Sequence, residues 1–118
     1  MESTRQQKMS RLLQKEMGDI FELDMRRLYP GAMITITKVN VTKDLSIARF
    51  HLSVFAMRDK KPAIDDIRTH IPEFRYKLGK RIAKQVRIIP HVEFFEDDSL
   101  DYIENLDKLL KPLTPDPQ

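Results

Sequence analysis

Ile34-Thr35-Ile36-Thr37-Lys38-Val39-Asn40-Val41-Thr42-Lys43-Asp44-Leu45-Ser46-Ile47-Ala48-Arg49-Phe50 is the stretch on which the fold turns. With its flanks it runs from Met33 to Phe55, and β-branched and aromatic residues recur in it at period two on either side of the polar turn Thr42-Lys43-Asp44. That pattern predicts two strands joined as a hairpin. In the second strand Ala48, Phe50, Leu52 and Val54 share one side, and Ile47, Arg49, His51 and Ser53 share the other, as in a sheet with one covered face. The first strand changes parity: Ile34 and Ile36 occupy one set of positions, Val39 and Val41 the other. A bulge near Thr37-Lys38 reconciles the two sets.

Outward from the hairpin, the preceding segment from about Arg5 to Leu28 places Met9, Leu12, Leu13, Met17, Ile20 and Leu28 at helical spacing. Tyr29-Pro30-Gly31 stops that helix, because proline disfavours helix in its predecessor and glycine permits the turn. Beyond the hairpin, Pro62 suits a first helical turn, and Ile64, Ile67 and Ile71 mark a short helix interrupted by Pro72. A second helix then carries Phe74, Leu78 and Ile82 on its apolar side. A third strand is expected from Val86 to Phe95, with Pro90 indicating an edge or a bulge. Ser99 would cap a last helix with an apolar stripe of Leu100, Ile103, Leu106 and Leu110, and Pro112, Pro115 and Pro117 imply a disordered end.

Charge is distributed unevenly over this order. Residues 1–92 hold 19 Lys and Arg against 10 Asp and Glu, whereas residues 93–118 hold 2 against 8, so the overall +3 conceals a basic body and an acidic end. Between Phe74 and Val92 stand Arg75, Lys77, Lys80, Arg81, Lys84 and Arg87 without one acid. A basic flank of this kind attracts polyanions, and RNA phosphates are the partner it fits, the competing reading being a merely solvated face. Lys80, Arg81 and Lys84 lead the candidates for phosphate contact, with Arg75, Lys77 and Arg87 beside them and Arg5, Lys8, Lys38, Lys43 and Arg49 as further candidates. Arg5, Lys8, Arg11 and Lys15 also step along the first helix as one exposed stripe, against its dipole. Tyr76 and Tyr102 are candidates for stacking on bases or for packing at the core edge.

Other chemistries find little support. The absence of cysteine excludes disulfides, thiolate metal sites and thiol nucleophiles, and suits a reducing, cytoplasmic setting. His51, His70 and His91 lie far apart and form no metal-ligand spacing, so no metal or cofactor is expected. Asp97-Asp98 falls at a strand-to-helix turn, where capping is the ordinary role of paired carboxylates. Only Gly18, Gly31 and Gly79 are present, too few and too scattered for a phosphate-cradling loop. No apolar run is long enough to span a membrane, and the polar opening around Glu2 does not read as a secretion signal. With 118 residues, one domain is expected over residues 1–99, followed by an acidic extension over 100–118.

The quoted hairpin resembles the paired strands of the ribosome-binding factor A family, including its Lys-Asp-Leu-Ser turn followed by a small residue. Arg75 with Leu78-Gly79-Lys80-Arg81-Ile82 is similar to that family's second-helix signature, and Arg87, Pro90, Val92, Phe94, Asp97 and Ser99 are similar to its last-strand signature. The likeness covers roughly residues 5–100 and includes the long first helix. It implies an α+β, KH-like domain of the second topological type, ordered α-β-β-α-α-β with a kinked helix pair. It implies a non-enzymatic, monomeric factor that binds the free small (30S) ribosomal subunit and its 16S rRNA, assists late rRNA processing and subunit maturation, and matters in the cold. The alternative class is an adaptor whose acidic tail recruits a ribosomal protein or an assembly GTPase. One departure stands out: His70-Ile71-Pro72 occupies the place where the family carries a small-residue kink ending in glycine. Proline breaks a helix equally well but offers no N–H to a phosphate.

Overall fold

The computed structural model describes residues 2–55 and 60–97. Its elements are α1 (Thr4–Leu28), β1 (Met33–Val41), β2 (Ile47–Phe55), α2 (Lys60–Thr69), α3 (Ile71–Ile82) and β3 (His91–Glu96). The order is the expected α-β-β-α-α-β, and the KH-like α+β class stands. A capping box opens α1: the Gln6 N–H donates to Ser3 Oγ at 3.2 Å and the Ser3 N–H to Gln6 Oε1 at 2.8 Å. The Gln6 side chain also donates to the Val41 carbonyl at 2.9 Å, tying the start of α1 to the end of β1. At its other end Tyr29 closes the last turn onto Met25, and Gly31 takes a φ of +84° that a side chain would resist.

The sheet is ordered β1-β2-β3, with β2 antiparallel to β1 and parallel to β3. A parallel neighbour requires a crossover, and α2 and α3 supply it. Pairing of β1 with β2 slips between Ile36 and Lys38, which leaves Thr37 as the extra residue. That bulge brings Ile34, Val39 and Val41 to one buried side despite their mixed parity. Ala48, Phe50, Leu52 and Val54 are buried as their alternation predicts, and Ser53 on the other parity is buried as well.

Against that sheet face α1 sets Leu13, Met17, Ile20, Phe21 and Met25, and α3 sets Phe74, Leu78 and Ile82. Four phenylalanines form the centre: Phe21 lies 5.2 Å from Phe74 and 5.6 Å from Phe94, and Phe50 lies 5.8 Å from Phe94, ring centre to ring centre. Such tilted contacts add to the burial that drives the packing.

Two boundaries differ from the sequence expectation. The break between the helices falls at His70, so Ile71 opens α3 where it was expected to close the preceding helix. The third strand starts at His91 and not at Val86. Although Val86-Arg87-Ile88-Ile89 is β-prone, Pro90 lacks an N–H, and the first ladder bond is donated by the His91 N–H to the Ser46 carbonyl at 2.8 Å. The expected terminal helix, including its cap Ser99, lies outside the described residues.

Candidate nucleic-acid interface

The basic block does not lie on one helical flank as expected: Arg75, Lys77, Lys80 and Arg81 are on α3, where helical geometry divides them, but α3 ends at Ile82, so Lys84 and Arg87 stand in the segment that follows. Lys77 and Arg81 each immediately precede a core residue, Leu78 and Ile82, so they border the apolar stripe and meet α1. Lys77 Nζ lies 2.6 Å from Asp24, and Arg81 lies 2.7 Å from Glu16 and 3.1 Å from Asp19. The hydrogen bond to Glu16, then the charges of Glu16 and Asp19, hold the Arg81 guanidinium above its ordinary range. Arg75 follows Phe74 and borders the stripe on the other side. Its Nε donates to the Pro90 carbonyl at 3.0 Å and its Nη2 to that of Ile89 at 2.8 Å, which fixes the approach to β3. Three of the six bases are therefore engaged within the molecule.

Lys80 and Lys84 point away from the core. The Lys80 ammonium sits 4.8 Å over the ring of Tyr76, which is 64% exposed. Lys84 and Arg87 are exposed, and neither has an ion-pair partner among the described residues. Pro72, Tyr76, Lys80 and Ile89 line a shallow depression on this outer face.

Beyond the end of α3 lies a groove of about 530 Å³ between the first turns of α1, the hairpin turn and the loop that leads to β3. Arg5 and Lys8 from α1 and Arg87 from the loop stand on it, bases far apart in sequence and brought together by the fold. Met9, Leu12, Leu45, Val86 and Ile88 form its apolar lining. The one acid on it among the described residues, Asp44, is turned into its own loop: it accepts from Ser46 Oγ at 2.7 Å, Thr42 Oγ1 at 2.8 Å and the Ser46 N–H at 3.1 Å. Those bonds, the one from the Ser46 hydroxyl foremost, hold the Asp44 carboxyl below the usual carboxylate range.

Lys43 is exposed in the hairpin turn, next to Asp44 on the groove, and the other candidates stand apart from this end. Lys38 and Arg49 lie on the sheet side opposite the helices, where Arg49 pairs with Glu93 at 3.0 Å and His51 stacks on Phe95. His70 lies at the kink, 3.4 Å from Glu73 and 4.0 Å from Asp66. Near it the Tyr29 hydroxyl donates to Asp66; burial, then that hydrogen bond and the carboxylate charge, push the phenol well above its ordinary range. Asp97 accepts from Thr37 Oγ1 at the bulge. Among the described residues no group of side chains could hold a metal ion, and no helix is long and apolar enough to cross a membrane. Tyr102 and Asp98 lie outside the described residues.

Reading by charge alone missed Glu16, Asp19 and Asp24, the acids on α1 that neutralise Lys77 and Arg81. The signal was present in their spacing, since Glu16 and Asp19 stand i,i+3 and both meet Arg81, while Asp24 meets Lys77, one turn away on α3. The apolar lining of the groove was missed too, most clearly Ile88, which is 70% exposed.

Fold and surface together define a small KH-like α+β domain with three bases, unpaired among the described residues, on one groove. Comparison with known proteins narrows this. The family model of ribosome-binding factor A matches residues 5–110. Ribosome-binding factor A of Cytophaga hutchinsonii is 46% identical over 114 residues, covering 97% of this chain and 86% of that one. That of Flavobacterium johnsoniae is 37% identical over 93% of this chain and 85% of its own length. The chain belongs to the ribosome-binding factor A family. Its fold is that of the crystal structure of ribosome-binding factor A from Thermus thermophilus, with a TM-score of 0.63 at 21% identity over 77% of this chain and 94% of that one. A homology model of the Thermus thermophilus factor, fitted into the cryo-EM map of a 30S complex, gives a TM-score of 0.58 at 20% identity, over 74% of this chain and 89% of that one.

Proposed function

We propose that this protein is a non-enzymatic assembly factor that docks on the free small ribosomal subunit through its 16S rRNA and assists late rRNA processing and maturation, with its strongest effect in the cold. Residues 1–99 act as the docking domain and 100–118 as an acidic extension, and the protein works as a cytoplasmic monomer. Family membership supports the ribosomal setting, and a relative of the same fold is described in a 30S complex. The observation that carries the reading to particular residues is that Arg5, Lys8 and Arg87, with no ion-pair partner among the described residues, stand together on one groove, with exposed Lys80 and Lys84 nearby in sequence on and after α3. Flexible cations of this kind contact phosphates and position a protein on folded RNA by shape.

Sedimentation of cell lysate tests the reading. The protein should travel with free small subunits and not with complete ribosomes, and a strain lacking it should accumulate precursor 16S rRNA, more so in the cold. Association that survives complete RNase digestion and follows a protein partner would overturn it in favour of the adaptor class.

A further inference from the structure

The groove beyond α3 combines two properties that phosphate docking alone does not need. Three bases stand on it with no ion-pair partner among the described residues, and between them lies an apolar surface. Ile88 is 70% exposed there, in a loop held in place by Arg75. Leu45 is presented from the hairpin turn with a φ of +63°, a left-handed backbone that an L side chain disfavours. The bonds of Thr42, Asp44 and Ser46 hold that turn and engage the oxygens of Asp44, which keeps its negative charge.

The geometry points to this groove as a seat for an unpaired nucleotide of RNA, the base lying on the aliphatic lining and the flanking phosphates meeting Arg5, Lys8 and Arg87. A duplex presents phosphates and stacked edges but no free apolar face, so it would leave Ile88, Leu45 and Met9 unused. An extruded or single-stranded base has two such faces, and proteins take them on apolar side chains or on arginine guanidinium planes. Charge complementarity selects a polyanion over an apolar peptide, because among the described residues the lining carries three bases, Arg5, Lys8 and Arg87, against one acid, Asp44. The volume of about 530 Å³ is that of a small-ligand site. The inference rests on the rRNA-docking reading above and adds to it the form of RNA that this end of the molecule takes.

Binding of a fluorescein-labelled oligouridylate, and of a perfectly paired RNA duplex, to the full-length protein is the test, with sedimentation on purified small subunits run in parallel. Ile88→Ser removes apolar surface from an exposed position without changing charge. It should weaken the single strand about tenfold and leave the duplex unchanged. The R5Q/K8Q/R87Q variant should flatten the salt dependence for the single strand by about 2 in log–log slope, near 0.7 for each base removed. Equal affinity of Ile88→Ser and the unaltered protein for the single strand, while both still bind small subunits, would overturn the groove assignment alone. Absence of small-subunit binding by the unaltered protein would instead overturn the docking reading beneath it. Enzymatic digestion of the RNA with retention of a protein crosslinked at position 88 would assign the groove to a peptide and reject the nucleotide.

Discussion

Lys77 and Arg81 on one side, Lys80 and Lys84 on the other, come from the same short run of sequence and have opposite fates. The first two border the Phe74, Leu78 and Ile82 stripe where it meets α1, and their charge is taken up by Asp24, Glu16 and Asp19. Of the second pair, Lys80 falls about 200° around the helix from Leu78 and faces outward, and Lys84 is exposed in the turn that follows α3. A count of bases therefore overstates the charge available to a partner. What matters is the angle each base makes with the apolar stripe, and whether a neighbouring element carries acids at the matching spacing.

The division between the two pairs breaks most sharply at Phe74. If the α1–α3 seam is structural, Phe74→Ala should destabilise the fold by about 3–5 kcal/mol in denaturant unfolding, since it removes a fully buried ring from the phenylalanine cluster. A loss below about 1 kcal/mol would mean that α3 is held elsewhere.

The two sets of bases can be exchanged directly. Reversing the outward set, K80E/K84E/R87E, should weaken small-subunit binding about a hundredfold or more while the melting temperature stays within a few degrees, because exposed substitutions rarely exceed about 0.5 kcal/mol each. Neutralising the seam set, K77Q/R81Q, should lower the melting temperature and leave binding within about threefold. Reversed outcomes for the two variants would show that the seam opens to bind RNA.

Much of this architecture is legible in local pattern. The hairpin, the bulge at Thr37 and the stop after Leu28 follow from alternation, parity and turn chemistry, all encoded within a few residues. The break before Pro72 is legible to within two residues. The start of β3 is not, because Val86 to Ile89 has strand-like composition while its conformation is set from a distance by Arg75. The same holds for the candidate site. Which side of α3 meets α1 depends on Phe21 packing against Phe74 across the core, and the groove is assembled from three segments whose proximity no local pattern records.

Arg75 sharpens the division between structural and available bases, since the outer face and the groove both depend on the loop it secures. Arg75→Ala should cost about 2 kcal/mol, the range for hydrogen bonds from a charged donor, through loss of the bonds to Ile89 and Pro90. Amide hydrogen exchange should quicken across the loop from 83 to 90 while α1 stays protected. Binding that fell as far as in K80E/K84E/R87E, with exchange in the loop unchanged, would place Arg75 among the phosphate contacts.

The smallest effect expected is at Asp44, the one acid on the groove among the described residues. Its carboxylate is bonded by Ser46 and Thr42 in the folded protein and has no such partners in the unfolded chain, so its folded pKa is depressed. A depressed folded pKa contributes stability that is fully present above the unfolded value, near 3.9, and is lost as pH falls through the lower folded value. A chemical-shift titration should therefore find the Asp44 midpoint below the usual carboxylate range. Protection of the Ser46 amide should fade only as pH drops through that midpoint. RNA binding between about pH 5 and 7 should show no Asp44-dependent change, because the group stays ionised and turned inward throughout. A midpoint at or above the ordinary carboxylate value would mean that the carboxylate faces the groove, where it would oppose the very phosphates that Arg5, Lys8 and Arg87 are placed to meet.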